Sequence, residues 1–437
     1  MRPTQSKRKT GSASFYASLR QQASLWSAWQ AVQQNALQSR SAETAAEAKE
    51  FGREIRTHLS RIAAHLRYGR FQFKPQRGVL IQKKGKSSKR PIVVAPIESR
   101  IVQRAILEAV HRVPAIDCQL KSGFNFGGVP GSDFGVPRAI VKAHAAIQER
   151  TYFIRTDIKS FFMHVPRERA VRQVLDHIDD PDFQRLFENA TTTEIEDGQR
   201  YGADVGLFPI HDEGVAQGSC LSPLLCNLLL ADFDRRMNDR GIVTIRYIDD
   251  FLILAPTRAK AFKAYDHARA YLADLGLDAY DPRVPGDASK ADSGECRTGI
   301  PFLGCQVFPD SVRPSREKTR ELKARIRDAC AESLTCLANP TEASRHHLTY
   351  AETLDRVSKM VRGWANTMAF CTDDRVMNDL DAEISSIVEQ YGKGVAMRVR
   401  ALSPLDRRRA LGVFSIADRV TSASRDEILA EVTARRR

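Results

Sequence analysis

Apolar positions recur at helical spacing through residues 12–75, where Gly and Pro are few. Leu25, Trp29 and Val32 fall on one face, and Ile55, Leu59, Ile62 and Leu66 on another, which predicts amphipathic helices. From residue 76 to 310 the pattern changes. Short β-rich runs at Pro91–Ala95, Tyr152–Ile158, Ile242–Tyr247 and Phe251–Leu254 are interspersed with helical stretches. The Gly-, Asp-, Ser- and Lys-rich stretch Pro282–Gly299 reads as a loop. From about Pro314 the chain is helical again and basic, ending in Arg435, Arg436 and Arg437. The pattern therefore divides into an N-terminal helical region, 1–75, a mixed region, 76–310, and a helical basic region, 311–437, in the α+β class. The apolar run Leu224–Leu230 is broken by Asn227, and Phe251–Ala255 is only five residues. Neither approaches the ~20 residues that span a bilayer.

Composition narrows the class of partner. Of 437 residues, 42% are hydrophobic and 27% charged, which excludes a disordered chain, a collagen and a membrane bundle. The net charge of +14 suits a polyanion, nucleic acid first and an anionic membrane surface second. Met1–Thr10 is basic but no apolar stretch follows it, so it does not read as a secretory signal. The eight cysteines contain no CxxC pair and read as small buried hydrophobes in a reducing cytosol.

Three segments carry candidate chemistry. In Arg246-Tyr247-Ile248-Asp249-Asp250-Phe251-Leu252-Ile253-Leu254, two β-rich runs flank adjacent aspartates, which predicts a hairpin with the carboxylates at its tip. Like charges held so close repel unless a cation lies between them. Taken alone, a solvated Asp-Asp turn is the plainer reading of the segment. In Ile154-Arg155-Thr156-Asp157-Ile158, Asp157 lies near the end of a β-rich run. A third carboxylate on a neighbouring strand would complete a two-metal site, at which a 3′-hydroxyl is activated and the leaving pyrophosphate stabilised. In Gln217-Gly218-Ser219-Cys220-Leu221-Ser222-Pro223, Ser222 is a candidate N-cap and Pro223 a first helical residue. Gly218 would let the backbone approach a nucleotide closely.

In this order the three segments resemble the palm of reverse transcriptases, and further blocks extend the resemblance over roughly residues 50–375. Lys83-Lys84-Gly85-Lys86-Ser87-Ser88-Lys89-Arg90-Pro91-Ile92 looks like the fingers block, with Lys83 and Arg90 at the positions that hold the triphosphate. Arg100, Gln103 and Arg104 fall where bacterial members carry a template-strand helix. Gly123-Phe124-Asn125 resembles a Gly-Phe-Arg block with Asn125 in place of Arg. Phe302-Leu303-Gly304-Cys305 resembles the primer grip, and Val361-Arg362-Gly363-Trp364-Ala365-Asn366 a thumb helix of group II intron-type enzymes.

The resemblance implies a right-hand polymerase, with reverse-transcriptase fingers and palm and a helical thumb. Catalysis would rest on Asp157, Asp249 and Asp250. These three, with Ile158, would hold two Mg²⁺ ions, Mn²⁺ serving as substitute. Phe162 matches the aromatic steric gate that excludes a 2′-hydroxyl, so the expected product is DNA. Gln217 and Gly218 would meet the incoming nucleotide or templating base, and Tyr247 the primer terminus. Lys290 matches the lysine of a sixth block and would protonate pyrophosphate; a solvated loop lysine is the plainer reading. Arg316, Lys318, Arg320, Lys323, Arg325, Arg398, Arg400 and Arg407–Arg409 would line a duplex groove through salt-sensitive phosphate contacts.

The chain lacks the retron Asn-Ala-x-x-His and Val-Thr-Gly signatures, and no endonuclease or RNase H pattern follows the thumb block. The nearest likeness is to stand-alone, defence-associated "unknown group" and abortive-infection enzymes. It implies a cytoplasmic polymerase with a structured non-coding RNA template, dNTPs and a DNA product or RNA–DNA hybrid, and no membrane. Oligomerisation or a partner protein stays open. Three alternatives remain: an intron-type maturase, a template-independent or protein-primed DNA polymerase, and a non-catalytic RNA-binding scaffold.

Overall fold

The computed structural model describes residues 14–39, 41–82, 88–238 and 241–413. The chain divides between Thr298 and Gly299 into two compact units.

The first unit opens with helices α1 (Phe15–Leu19), α2 (Gln22–Leu37), α3 (Ala42–Arg53) and α4 (Ile55–Arg67). Leu25, Trp29 and Val32 on α2 and Leu59, Ile62 and Leu66 on α4 are buried, as their spacing predicts. Their core is continuous with that of the mixed region, so the 14–67 helices do not form a separate body. Asp180 helps to tie them down: its carboxylate accepts from Ser14 Oγ at 2.5 Å and from the Tyr16 N–H at 2.8 Å. A two-stranded hairpin follows, β1 (Arg77–Gln82) with β2 (Lys89–Val94), and then α5 (Ile97–Val110), α6 (Pro114–Leu120) and α7 (Val136–Ala146).

Next come β3 (Tyr152–Asp157), α8 (Phe161–His164), α9 (Arg167–Leu175), α10 (Pro181–Thr191), α11 (Ser222–Leu229), α12 (Ala231–Met237), β4 (Val243–Tyr247), β5 (Asp250–Ala255), α13 (Arg258–Ala273) and β6 (Asp292–Glu295). The four strands form an antiparallel sheet in the order β4-β5-β3-β6. Ile154, Phe251 and Ile253 alternate onto one face and enter the core with α11, α12 and α13. Asp157 and Asp250 alternate onto the other.

Strand β6 corrects the expected loop over Pro282–Gly299. Its residues, Asp-Ser-Gly-Glu, have no β propensity of their own. The edge of β3 supplies the pairing, Arg155 opposite Asp292 and Phe153 opposite Gly294. A Cβ on Gly294 would come within 3.2 Å of the Phe153 ring.

The second unit begins with a meander, β7 (Ile300–Phe302), β8 (Cys305–Val307) and β9 (Val312–Pro314). Five helices follow: α14 (Arg316–Cys336), α15 (Pro340–Arg345), α16 (Tyr350–Thr367), α17 (Asp374–Arg400) and α18 (Pro404–Leu411). Leu322, Ile326, Val357, Ile384 and Tyr391 form its core. Part of the expected groove charge is already engaged. Lys318, Lys323 and Arg409 pair with Glu321, Glu383 and Asp406, and Arg407 donates to the Val399 carbonyl at 3.1 Å. All eight cysteines are free; Cys226, Cys296, Cys305 and Cys330 are buried, whereas Cys118 is exposed. Among the described residues, no helix is long and apolar enough to cross a membrane.

Candidate active site

The β4–β5 hairpin closes with Tyr247 paired to Asp250, so Ile248 and Asp249 form a two-residue turn. Asp249 sits in the turn and Asp250 is the first residue of β5. Across the sheet, β3 aligns Asp157 directly opposite Asp250. Directly opposed residues of an antiparallel pair have Cβ atoms about 4.5–5.5 Å apart. The Ile158 N–H donates to the Asp249 carbonyl at 3.0 Å, drawing the turn against the end of β3. The Asp249 carboxyl group feels the charge of Asp157. Two adjacent carboxyl groups and a third from far earlier in the chain thus meet at one end of the sheet.

Their electrostatics follow from crowding. Burial, then Asp157 and Asp250, pushes the Asp249 pKa up to about 7. Burial and Asp157 raise that of Asp250 to about 6, while Lys290 and Arg155 oppose the rise. The Lys290 ammonium is ion-paired with Asp157. Burial would lower the Lys290 pKa, but the hydrogen bond and charge of Asp157 more than offset it, and the net shift is upward. Among the described residues, no three His, Cys, Asp or Glu side chains are preformed as a metal cage. The donor chemistry nevertheless suits Mg²⁺, which often takes one or two carboxylates and completes its shell with water and substrate phosphates. The side chain of Ile158 is apolar and buried, so only its backbone carbonyl is available as a ligand.

The other expected residues distribute around this end of the sheet or lie apart from it. Phe161 is buried and Phe162 half-buried, with their rings edge-to-face at 6.0 Å. Tyr247 is half-buried, and burial raises its hydroxyl pKa. Arg90 is exposed on β2; Lys83 lies outside the described residues. The Gln217 carbonyl accepts from the Val93 N–H at 2.7 Å, so this loop is stitched to β2.

Two residues of this segment have local explanations in the structure, and one of them corrects an expectation. Gly218 has φ +119°, and a Cβ there would lie 2.4 Å from the Val93 carbonyl oxygen. Close contact with β2 therefore requires a glycine at this position. Ser222 does not cap α11. It is buried, and its hydroxyl donates to the Ala216 carbonyl at 2.7 Å, bracing the loop behind it.

The sequence reading missed the support beneath the turn. Arg246 is fully buried, and its guanidinium grips Asp234 through two bonds, at 2.7 and 2.6 Å. Its remaining nitrogen donates to Asn227 Oδ1 at 3.0 Å and to the Ile248 carbonyl at 2.9 Å. Burial raises the Asp234 pKa, and the guanidinium opposes that rise. Asn227 Nδ2 in turn donates to the Gly127 carbonyl at 2.8 Å. Two polar residues interrupting apolar runs, Asn227 and Arg246, were the available signals.

Comparison with known proteins assigns this region. Residues 81–280 match the family model "Reverse transcriptase (RNA-dependent DNA polymerase)". The chain is 31% identical over 175 residues to Protein YkfC of Escherichia coli strain K12, covering 39% of this chain and 43% of that protein. It is 26% identical over 181 residues to the Retron Ec86 reverse transcriptase of Escherichia coli, covering 40% and 48%. Apo telomerase from Candida tropicalis aligns with a TM-score of 0.40 at 11% identity, covering 78% of this chain and 69% of that one. The matches span less than half the length of either curated relative. Residues 81–280 are thus similar to the reverse-transcriptase domain, and the chain around them is a mixed α+β fold.

Proposed function

We propose that the whole chain acts as an RNA-directed DNA polymerase, making cDNA from an associated non-coding RNA in anti-phage defence. The single observation that supports this most is the convergence of Asp157, Asp249 and Asp250 through strand register. Two Mg²⁺ ions, for which Mn²⁺ can substitute, would supply charge stabilisation for attack by a 3′-hydroxyl and departure of pyrophosphate. Asp157, Asp249, Asp250 and the Ile158 carbonyl would hold them. Lys290, ion-paired with Asp157, would give a proton to the leaving group. Half-buried Phe162 would close the space of a 2′-hydroxyl, and Tyr247 would meet the primer end. Arg90 and Lys83 would meet the triphosphate. A cytoplasmic setting suits the eight unpaired thiols.

The test is to sequence nucleic acid bound to the purified chain, then supply Mg²⁺ with dNTPs or NTPs and follow extension. RNA-dependent dNTP incorporation is expected, with a loss of at least about a hundredfold in Asp249→Ala and Asp250→Ala. Extension without template would replace this reading with template-independent synthesis. Bound RNA without incorporation would replace it with a maturase or a scaffold.

A further inference from the structure

Ile248 has φ +61°, a conformation that a β-branched residue adopts only when its surroundings impose it. The surroundings here are specific. Arg246 projects to the face of the sheet opposite the aspartates, where Asp234 holds its guanidinium through two bonds. The third nitrogen is shared between Asn227 and the Ile248 carbonyl. Asn227 is itself bound to the Gly127 carbonyl. Gly127 lies so close beneath the turn that a Cβ would be 2.8 Å from the Ile248 N atom. The Arg246 backbone is also clamped: its N–H donates to the Phe124 carbonyl at 2.8 Å and its carbonyl accepts from the Phe126 N–H at 2.9 Å.

We infer that Arg246 is a positioning residue for the reaction. With Asp234 and Asn227 it forms a buried bracket that holds the Ile248 peptide, and so aims the Asp249 carboxylate at the metal site. The inference rests on the polymerase reading for its chemistry, but the bracket's effect on metal binding is measurable without it. Lysine cannot replace this arginine, because an ammonium lacks the planar fork that grips Asp234 and still reaches Ile248.

The experiment compares wild type, Arg246→Lys and Asn227→Ala in three measurements. They are Mn²⁺ affinity by the paramagnetic signal of free Mn²⁺, kcat and KM for dNTP incorporation, and template–primer affinity. Arg246→Lys should weaken Mn²⁺ binding and lower kcat by about 10–100-fold, with template–primer affinity held within about twofold. Asn227→Ala keeps the Asp234–Arg246 pair and should move the same quantities in the same direction, by less. Should Arg246→Lys fail to fold, Asn227→Ala decides alone. A folded variant that melts earlier yet keeps Mn²⁺ affinity and kcat overturns the inference, leaving the bracket as a stability element. If wild type incorporates nothing, the polymerase reading fails separately, and the Mn²⁺ titration still upholds or overturns the bracket.

Discussion

Two hairpin turns in this molecule solve one geometric problem in opposite ways. Both link antiparallel strands through two residues: Ile248-Asp249 between Tyr247 and Asp250, and Leu303-Gly304 between Phe302 and Cys305. In the second, both linking residues have positive φ, +47° and +81°, and glycine takes the larger value. That is the local chemistry a tight hairpin prefers. In the first, only Ile248 of the two linking residues has positive φ, at a position where glycine is favoured. No side chain there eases the backbone. The conformation is held from outside, by the Arg246 guanidinium and the close packing of Gly127. The contrast teaches that a tight turn can be written in its own local sequence. One that must present a carboxylate accepts a poor local sequence and borrows its rigidity from the core.

The comparison breaks most easily at Gly127. In Gly127→Ala the new Cβ would meet backbone at 2.8 Å and 3.0 Å and the Ile248 Cγ1 at 2.7 Å, so the turn itself must move. Incorporation should fall by about a hundredfold in a protein that still folds, since misplacements of about 1 Å carry losses of this size. Steady-state kinetics with circular dichroism as the folding control would check it.

The next effect is in pH. Asp249 and Asp250 have pKa values raised in the native state to about 7 and about 6. Protons are therefore held more tightly by the folded than by the unfolded chain. Their contribution to stability is complete below about pH 4, declines as pH rises, and is lost above about pH 7. Asp250→Asn should thus melt a few degrees above wild type at pH 8 and show little difference at pH 4. Added Mg²⁺ should raise the wild-type melting temperature more at pH 8 than at pH 5. Thermal melts over that range decide it; an aspartate variant less stable at pH 8 would contradict the crowding of charge.

Smaller effects sharpen the contrast between the turns. Gly304→Ala places a side chain at φ +81° and should destabilise by about 1 kcal/mol in denaturant titration. Ile248→Gly relieves comparable strain but gives up a half-buried side chain and gains unfolded-state freedom. The expected net change there is below about 0.5 kcal/mol, while activity falls because the turn loosens.

The core-facing positions of α2 and α4 and the two central β-rich runs were legible because burial enforces periodicity, 3.6 for helices and 2 for strands. The three aspartates were legible because adjacent carboxylates and a strand-end carboxylate are chemically conspicuous, and their order with Gln217–Pro223 resembles a known palm. What the linear pattern could not supply was pairing. That Asp157 faces Asp250 is a matter of register between strands nearly a hundred residues apart. That Asp292–Glu295 is a strand is decided by the free edge of β3, not by its composition. Ser222 was read through its neighbours in sequence as a cap, whereas Ala216 explains it. Arg246 shows the same limit most sharply. A charged residue can be fully buried only where partners converge on it. Asp234, Asn227 and Ile248 converge only once α11, α12 and the β4–β5 turn have packed together.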